Sequence, residues 1–163
     1  MSFLGVHFAV DAGIEARLLA ADGDEEVMEI VEEVEEAWDR AWLCQTDKAW
    51  DALHRCLSDG TLDFEGGDYP LSHAILGGLQ LYEDDDYVVA YLDVDDVRAV
   101  AEALAPLGQD WLRERYFSLD PADYRRTPDE EDFKYTWANM RGLKAFFGKA
   151  AEAGRPVVFT VDG

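Results

Sequence analysis

Tyr87–Leu107 reads YVVAYLDVDDVRAVAEALAPL. Its opening, YVVAYL, is β-branched, aromatic and apolar, which gives a strand over Tyr87–Leu92. Asp93 then stands as the N-cap of a helix from Val94 to Leu107, with Asp96 at the N3 position. A strand that feeds a helix directly excludes both an all-helical bundle and an all-β sandwich. Downstream the mixture repeats. Gln109–Ser118 is helical, and Thr127-Pro128-Asp129-Glu130 is a helix start with Thr as N-cap, Pro at N1 and Glu at N3. Phe133, Trp137, Met140, Leu143, Phe147 and Ala151 then mark one face of a helix of more than twenty residues. Gly154 and Pro156 close it, and Val157–Val161 is a last strand.

Upstream, Glu83–Asp86 is a charged turn and Leu79–Tyr82 a short strand. Pro70 at an N1 position begins a short helix through Leu76 that Gly77-Gly78 ends, after a Gly- and Asp-rich loop over Thr61–Tyr69. Asp47–Leu57 (DKAWDALHRCL) is a helix stopped by the Ser58-Asp59-Gly60 turn. Val27, Ile30, Val31, Val34, Trp38, Ala41 and Trp42 recur at three- and four-residue steps, with Glu25, Glu29, Glu32, Glu33 and Glu36 between them. That pattern predicts one long amphipathic helix through Trp42. Asp11 caps a short helix holding Ile14, Leu18 and Leu19, and Leu4–Val10 is the first strand. No linker, repeat or low-complexity segment interrupts the chain. The expectation is α+β: one helix-rich domain over residues 1–163 with a small mixed sheet of three to four strands.

The 163 residues carry 36 acidic and 14 basic side chains, a net charge of −22 at neutral pH. The imbalance lies in residues 1–110, with 27 acidic and 5 basic side chains, whereas residues 111–163 carry 9 of each. A field of that sign repels phosphate backbones and anionic lipid, so neither nucleic acid nor a membrane is an expected partner. It attracts a cation or a basic protein, although the plainer reading, and the favoured one, is a charged coat that keeps the chain in solution. The opening residues lack a cationic, apolar export signal, and no apolar run is long enough to span a bilayer. With Cys44 and Cys56 as the two cysteines and no CxxC, a reduced, cytoplasmic protein is expected.

Candidate chemistry centres on Asp47, Asp51 and His54, which stand at i, i+4 and i+7 along one stripe of the predicted helix, with Trp50 beside them. A carboxylate near an imidazole can fix its tautomer and raise its pKa, as general acid–base catalysis requires, and Trp50 could wall a ligand. The plainer reading is that Asp47 caps the helix, Asp51 is solvated, Trp50 and Leu53 are core, and His54 makes a local hydrogen bond. Ser72 joins the catalytic candidates only if tertiary structure carries it to His54. Adjacent on a helix, Ser72 and His73 diverge by about 100° and form no dyad. His73 and Tyr82 complete the candidate ligand-binding residues with Trp50 and Asp51. His7 is read as a satisfied sheet residue facing away from Val6 and Phe8.

Asp93, Asp95 and Asp96 are better explained by helix capping than by calcium, and the scattered His and Cys lack zinc spacing. No metal and no cofactor are expected. Arg113, Arg115, Arg125 and Arg126, near Tyr116, Phe117 and Tyr124, are the one basic concentration, read mainly as partners for the surplus carboxylates.

Four segments carry a resemblance: the strand GVHFAV, the helix DKAWDALHRCL, PLSHAILGG, and the aromatic C-terminal helix leading into a strand. Its specific part is Asp47-Lys48, Trp50, Asp51, Leu53, His54 and Leu57, then Pro70, Leu71, Ser72, Ala74, Leu76 and Gly77. Over nearly its whole length the chain resembles the YfbM-like bacterial family, classed as a domain of unknown function. The resemblance implies a small single-domain α+β fold and brings no catalytic residues with it.

Two functional readings follow. In the first, a non-enzymatic interaction protein docks a basic protein partner on acidic residues 22–42 and 83–96, as small acidic proteins that neutralise toxins do by analogy. In the second, a small-ligand or catalytic domain uses the Asp47/Trp50/His54 stripe, with Ser72 or Tyr82. Oligomeric state is not legible.

Overall fold

The computed structural model describes residues 4–162. In chain order the elements are β1 (Gly5–Ala9), α1 (Ala12–Ala20), α2 (Asp24–Ala37), β2 (Leu43–Asp47), α3 (Trp50–Leu57), β3 (Leu79–Gln80) and β4 (Tyr87–Leu92). They continue with α4 (Val94–Leu104), α5 (Gln109–Phe117), α6 (Pro121–Tyr124), α7 (Glu130–Ala153) and β5 (Val157–Asp162). Single 3₁₀ turns occupy Arg40–Trp42 and Leu71–His73.

The strands form one sheet in the order β2-β1-β5-β4-β3. Every pairing is antiparallel, so the expected mixed sheet of three to four strands is corrected to five antiparallel strands. β5, last in the chain, lies between β1 and β4, with Phe8 opposite Val158 and Ala90 opposite Phe159. The central strands are apolar on both faces because both are covered. Phe8, Val89 and Val158 join Leu18 of α1 and Val27, Ile30 and Val31 of α2 on one side. Ala9, Ala90, Leu92, Val157, Phe159 and Val161 point the other way, into a larger core filled by α3, α4, α5 and α7. Phe133, Met140, Leu143 and Phe147 of α7 are fully buried there, as their spacing predicts. Each such side chain contributes about 1.5–3 kcal/mol by leaving water.

Caps place several boundaries. Asp11 and Asp93 accept from the N–H groups of Ile14 and Asp96, both at 2.8 Å. The N-cap of α7 is Asp129, not Thr127: its Oδ1 accepts from Asp132 N at 2.8 Å. Three further expectations fail. The amphipathic helix stops at Ala37, because Trp38 turns into the left-handed region (φ 43°) and sets its ring edge-on against Phe8 at 5.9 Å. The chain released there becomes β2, an edge strand absent from the sequence reading. Asp47 therefore ends a strand and does not cap α3, which begins at Trp50 after a turn in which Ala49 N donates to Thr46 O. Pro70 follows a cis Tyr69–Pro70 bond and precedes a 3₁₀ turn, not an α-helix.

Candidate functional site

His54 is fully buried on α3. Its Nε2 donates to the Asp63 carbonyl at 2.8 Å, and its Nδ1 accepts from Leu76 N at 3.5 Å. Both ring nitrogens are thus spent on backbone, which fixes the neutral Nε2–H tautomer. Desolvation lowers its pKa, against the raising effects of the Asp63 carbonyl and the Asp59 and Asp51 charges. Asp51 lies in an ion pair: its Oδ1 accepts from Arg55 Nε at 2.7 Å, while Arg55 also bonds Asp123 and lies over the Tyr124 ring. Trp50 is half-buried against Phe159, ring centroids 6.1 Å apart. Asp47, in the left-handed region at φ 45°, stands opposite Gly5 on the neighbouring strand. The helical stripe that grouped Asp47 with Asp51 and His54 therefore loses its first member.

Ser72 and His73 do meet, contrary to the helical geometry assumed for them. Ser72 Oγ lies 3.2 Å from His73 Nδ1, the ring nitrogen nearest the backbone, which a preceding side chain reaches within a single 3₁₀ turn. Ser72 is nevertheless buried, and the His73 ring stands edge-on to Tyr69 at 5.0 Å. Tyr82 is remote from both, in a shallow groove with Phe64, Gln80 and the carboxylates of Glu83–Asp85.

His7 shows the sharpest departure from a satisfied sheet residue. Its Nε2 donates to Ala74 O at 2.8 Å, but its Nδ1 has no partner among the described residues. Phe146, Phe147 and Phe159 surround the ring at centroid distances of 5.9, 5.7 and 4.6 Å. Burial lowers its pKa to about 4, the Ala74 bond opposing. His7 and His54, from different elements, thus both hold the backbone of the segment from Ala74 to Leu76.

Two surfaces remain. The first is an open cleft of about 520 Å³ between the C-terminal end of α3 and α5, lined by Arg55, Cys56, Ser58, Asp59, Trp111 and Arg115 among others. Cys56 is inert there, its thiol pushed up to about 12 by burial. Sequence reasoning placed Arg115 in a basic cluster read mainly as partners for carboxylates. The structure sets Trp111 and Arg115 one turn apart on the same face of α5, as i, i+4 spacing allows, and turns that face against the end of α3, which no spacing encodes. Of the clustered arginines, Arg113 pairs with Glu130 and Arg126 with Asp129 and Asp132, as expected for charge-balancing residues.

The second surface is acidic. Glu25, Glu26, Glu29, Glu32, Glu33 and Glu36 of α2 are exposed. Asp24 Oδ1 accepts from Glu83 N at 3.0 Å, which ties the first turn of α2 to the acidic turn Glu83–Asp86, fifty-nine residues away. Arg17, on α1 beside it, is held by Glu33 through paired bonds of 3.0 and 2.8 Å. Asp93–Asp96 sit at the other end of β4, so the acidic stretch 83–96 is divided between two ends of the sheet. Among the described residues no group of three His, Cys, Asp or Glu is arranged to hold a metal ion, and no helix is long and apolar enough to cross a membrane.

The comparisons with known proteins fit this architecture. Over 97% of this chain and 99% of the other, the fold matches the crystal structure of a protein of unknown function, YfbM from Escherichia coli, with a TM-score of 0.71 and 21% identity. No curated protein matches the sequence. The model of the domain of unknown function DUF1877 matches residues 1–160. The chain belongs to that family, the YfbM-like family its sequence resembles.

Proposed function

We propose that this chain is a non-enzymatic binding protein that docks a basic protein partner on its acidic α2 face. The observation that carries the reading is the Asp24–Glu83 bond, which makes one surface of two acidic segments far apart in sequence. The cation beside α2, Arg17, is already paired with Glu33, so the outward carboxylates keep their field. Such a field speeds encounter with a basic surface and sets partner choice more than it adds affinity. The other reading, a ligand or catalytic site on the Asp47/Trp50/His54 stripe, has less behind it: His54 spends both nitrogens on backbone and Asp47 lies on a strand.

The test replaces Glu25, Glu29, Glu32 and Glu36 by Lys in the full chain, leaving Glu33 to hold Arg17. A basic partner recovered with the native chain at low salt is expected to dissociate at high salt. Its association with the variant should slow by about tenfold or more. Equal recovery by both proteins, independent of salt, overturns the reading.

A further inference from the structure

We infer that the cleft between α3 and α5 is a binding site for a small zwitterion, a free α-amino acid with an apolar side chain. Arg115 is its cationic wall. The guanidinium lies over the Trp111 ring at 4.7 Å, and its Nη1 reaches the Cys56 and Ser58 carbonyls at 3.3 and 3.5 Å. Those contacts orient the group, while its Nη2 and Nε have no partner among the described residues. A planar cation held this way by an aromatic face is preorganised for a carboxylate. Arg55, deeper in the cleft, is already committed to Asp51 and Asp123 and leaves the recognition to Arg115.

Opposite charges line the same cleft. Asp59 and Glu114 both contribute to its wall, yet among the described residues no ion pair joins either of them to Arg115. Asp59 is held ionised by the Thr61 hydroxyl and N–H, at 2.7 and 3.1 Å. In a chain with a surplus of acidic groups, an arginine left unneutralised beside two carboxylates is a paired set of vacant contacts. A simple anion meets Asp59 and Glu114, and a simple cation meets Arg115, so each is repelled by half of the lining. A molecule carrying both charges satisfies both halves. Trp111 and the buried Leu119 supply an apolar wall for its side chain, and about 520 Å³ falls within the range of small-ligand sites.

Calorimetric titration of the full chain with three related probes tests this. L-Phenylalanine is expected to bind saturably. Phenylalaninamide, without the carboxylate, and N-acetyl-L-phenylalanine, without the ammonium group, should each bind at least about tenfold more weakly, the loss of one charge-assisted contact. Arg115→Gln should weaken phenylalanine by a similar factor and, by relieving repulsion of its ammonium group, leave the amide bound as well as before or better. Glu114→Gln, at an exposed position that leaves the fold intact, should weaken phenylalanine and, by relieving repulsion of its carboxylate, leave the N-acetyl compound bound as well as before or better. Equal binding of the three probes, or no saturable binding of phenylalanine at millimolar concentrations, overturns the proposal.

Discussion

Gly77→Ala is expected to destabilise the protein by about 3 kcal/mol, the upper part of the range for overpacking. A Cβ at this position would lie 2.3 Å from the Ser72 carbonyl oxygen and 2.7 Å from His73 Cα. Both obstacles are backbone, so no side-chain rotation relieves the clash. The 72–77 loop would have to open, and it carries the Ala74 carbonyl that His7 holds and the Leu76 N–H that His54 accepts. Gly78 cannot absorb the movement, since it already sits at φ +98° with Tyr91 O 2.7 Å from its own would-be Cβ. A thermal melt should fall by roughly 10 °C for a domain of this size. Gly148→Ala is the control. It lies in α7 with nothing within 4 Å of a Cβ, and should instead stabilise by about 0.5–1 kcal/mol through helix propensity. A Gly77→Ala protein that melts with the native one would disprove the closeness of this loop.

The protein is also expected to lose about 3 kcal/mol of stability between pH 6.5 and pH 4 through His7 alone. The folded protein holds this imidazole neutral down to about pH 4, whereas in the unfolded chain it protonates at its ordinary value near 6.5. Between those values the unfolded state binds the extra proton, so stability falls as pH falls, by about 1.4 kcal/mol per unit. Above pH 6.5 the contribution is complete, and below pH 4 no more is lost. The comparison that isolates His7 is the native protein against His7→Gln, by urea unfolding at several pH values. His54, whose pKa is also lowered, and the many carboxylates are common to both proteins and cancel in the difference. The difference curve should slope across this window. Parallel curves would show that His7 is reached by protons in the folded state.

What the sequence made legible was local. β4 into α4, the α7 face, β5 and the acidic side of α2 all announce themselves by period or cap, and all stand where they were expected. The failures are tertiary. Trp38, Ala41 and Trp42 continue the helical spacing of α2, yet Trp38 leaves the helix without a glycine to mark the exit, because its ring packs on Phe8 of β1. Trp42 belongs to a different neighbourhood, beneath Arg155 at 3.9 Å and Lys149 at 4.3 Å. β2 was hidden by the same continuation, and with it the role of Asp47. Arg115 and Trp111 were visible as residues, but their cleft depends on α5 lying against the end of α3, more than fifty residues earlier. The partners of His7 and His54 were equally hidden, since both are backbone groups of a loop distant in sequence.

The thin outer layer formed by α1 and α2 has a dynamic consequence. It covers its face of the sheet with a much smaller apolar cluster than the opposite helices share. Within α2 the pairs Glu25–Glu29, Glu29–Glu33 and Glu32–Glu36 place like charges one turn apart, which weakens a helix at low salt. Its attachment leans on phenol–carboxylate bonds from the sheet, Tyr87 to Glu35 on α2 and Tyr91 to Glu15 on α1. This layer is therefore the unit expected to open first while the rest stays closed, its amides exchanging with solvent hydrogen fastest among the long helices. Cations that neutralise α2 tighten the same unit. Arrival of a positively charged protein would register as slowed exchange in residues 24–37, so that recognition and local ordering become a single event.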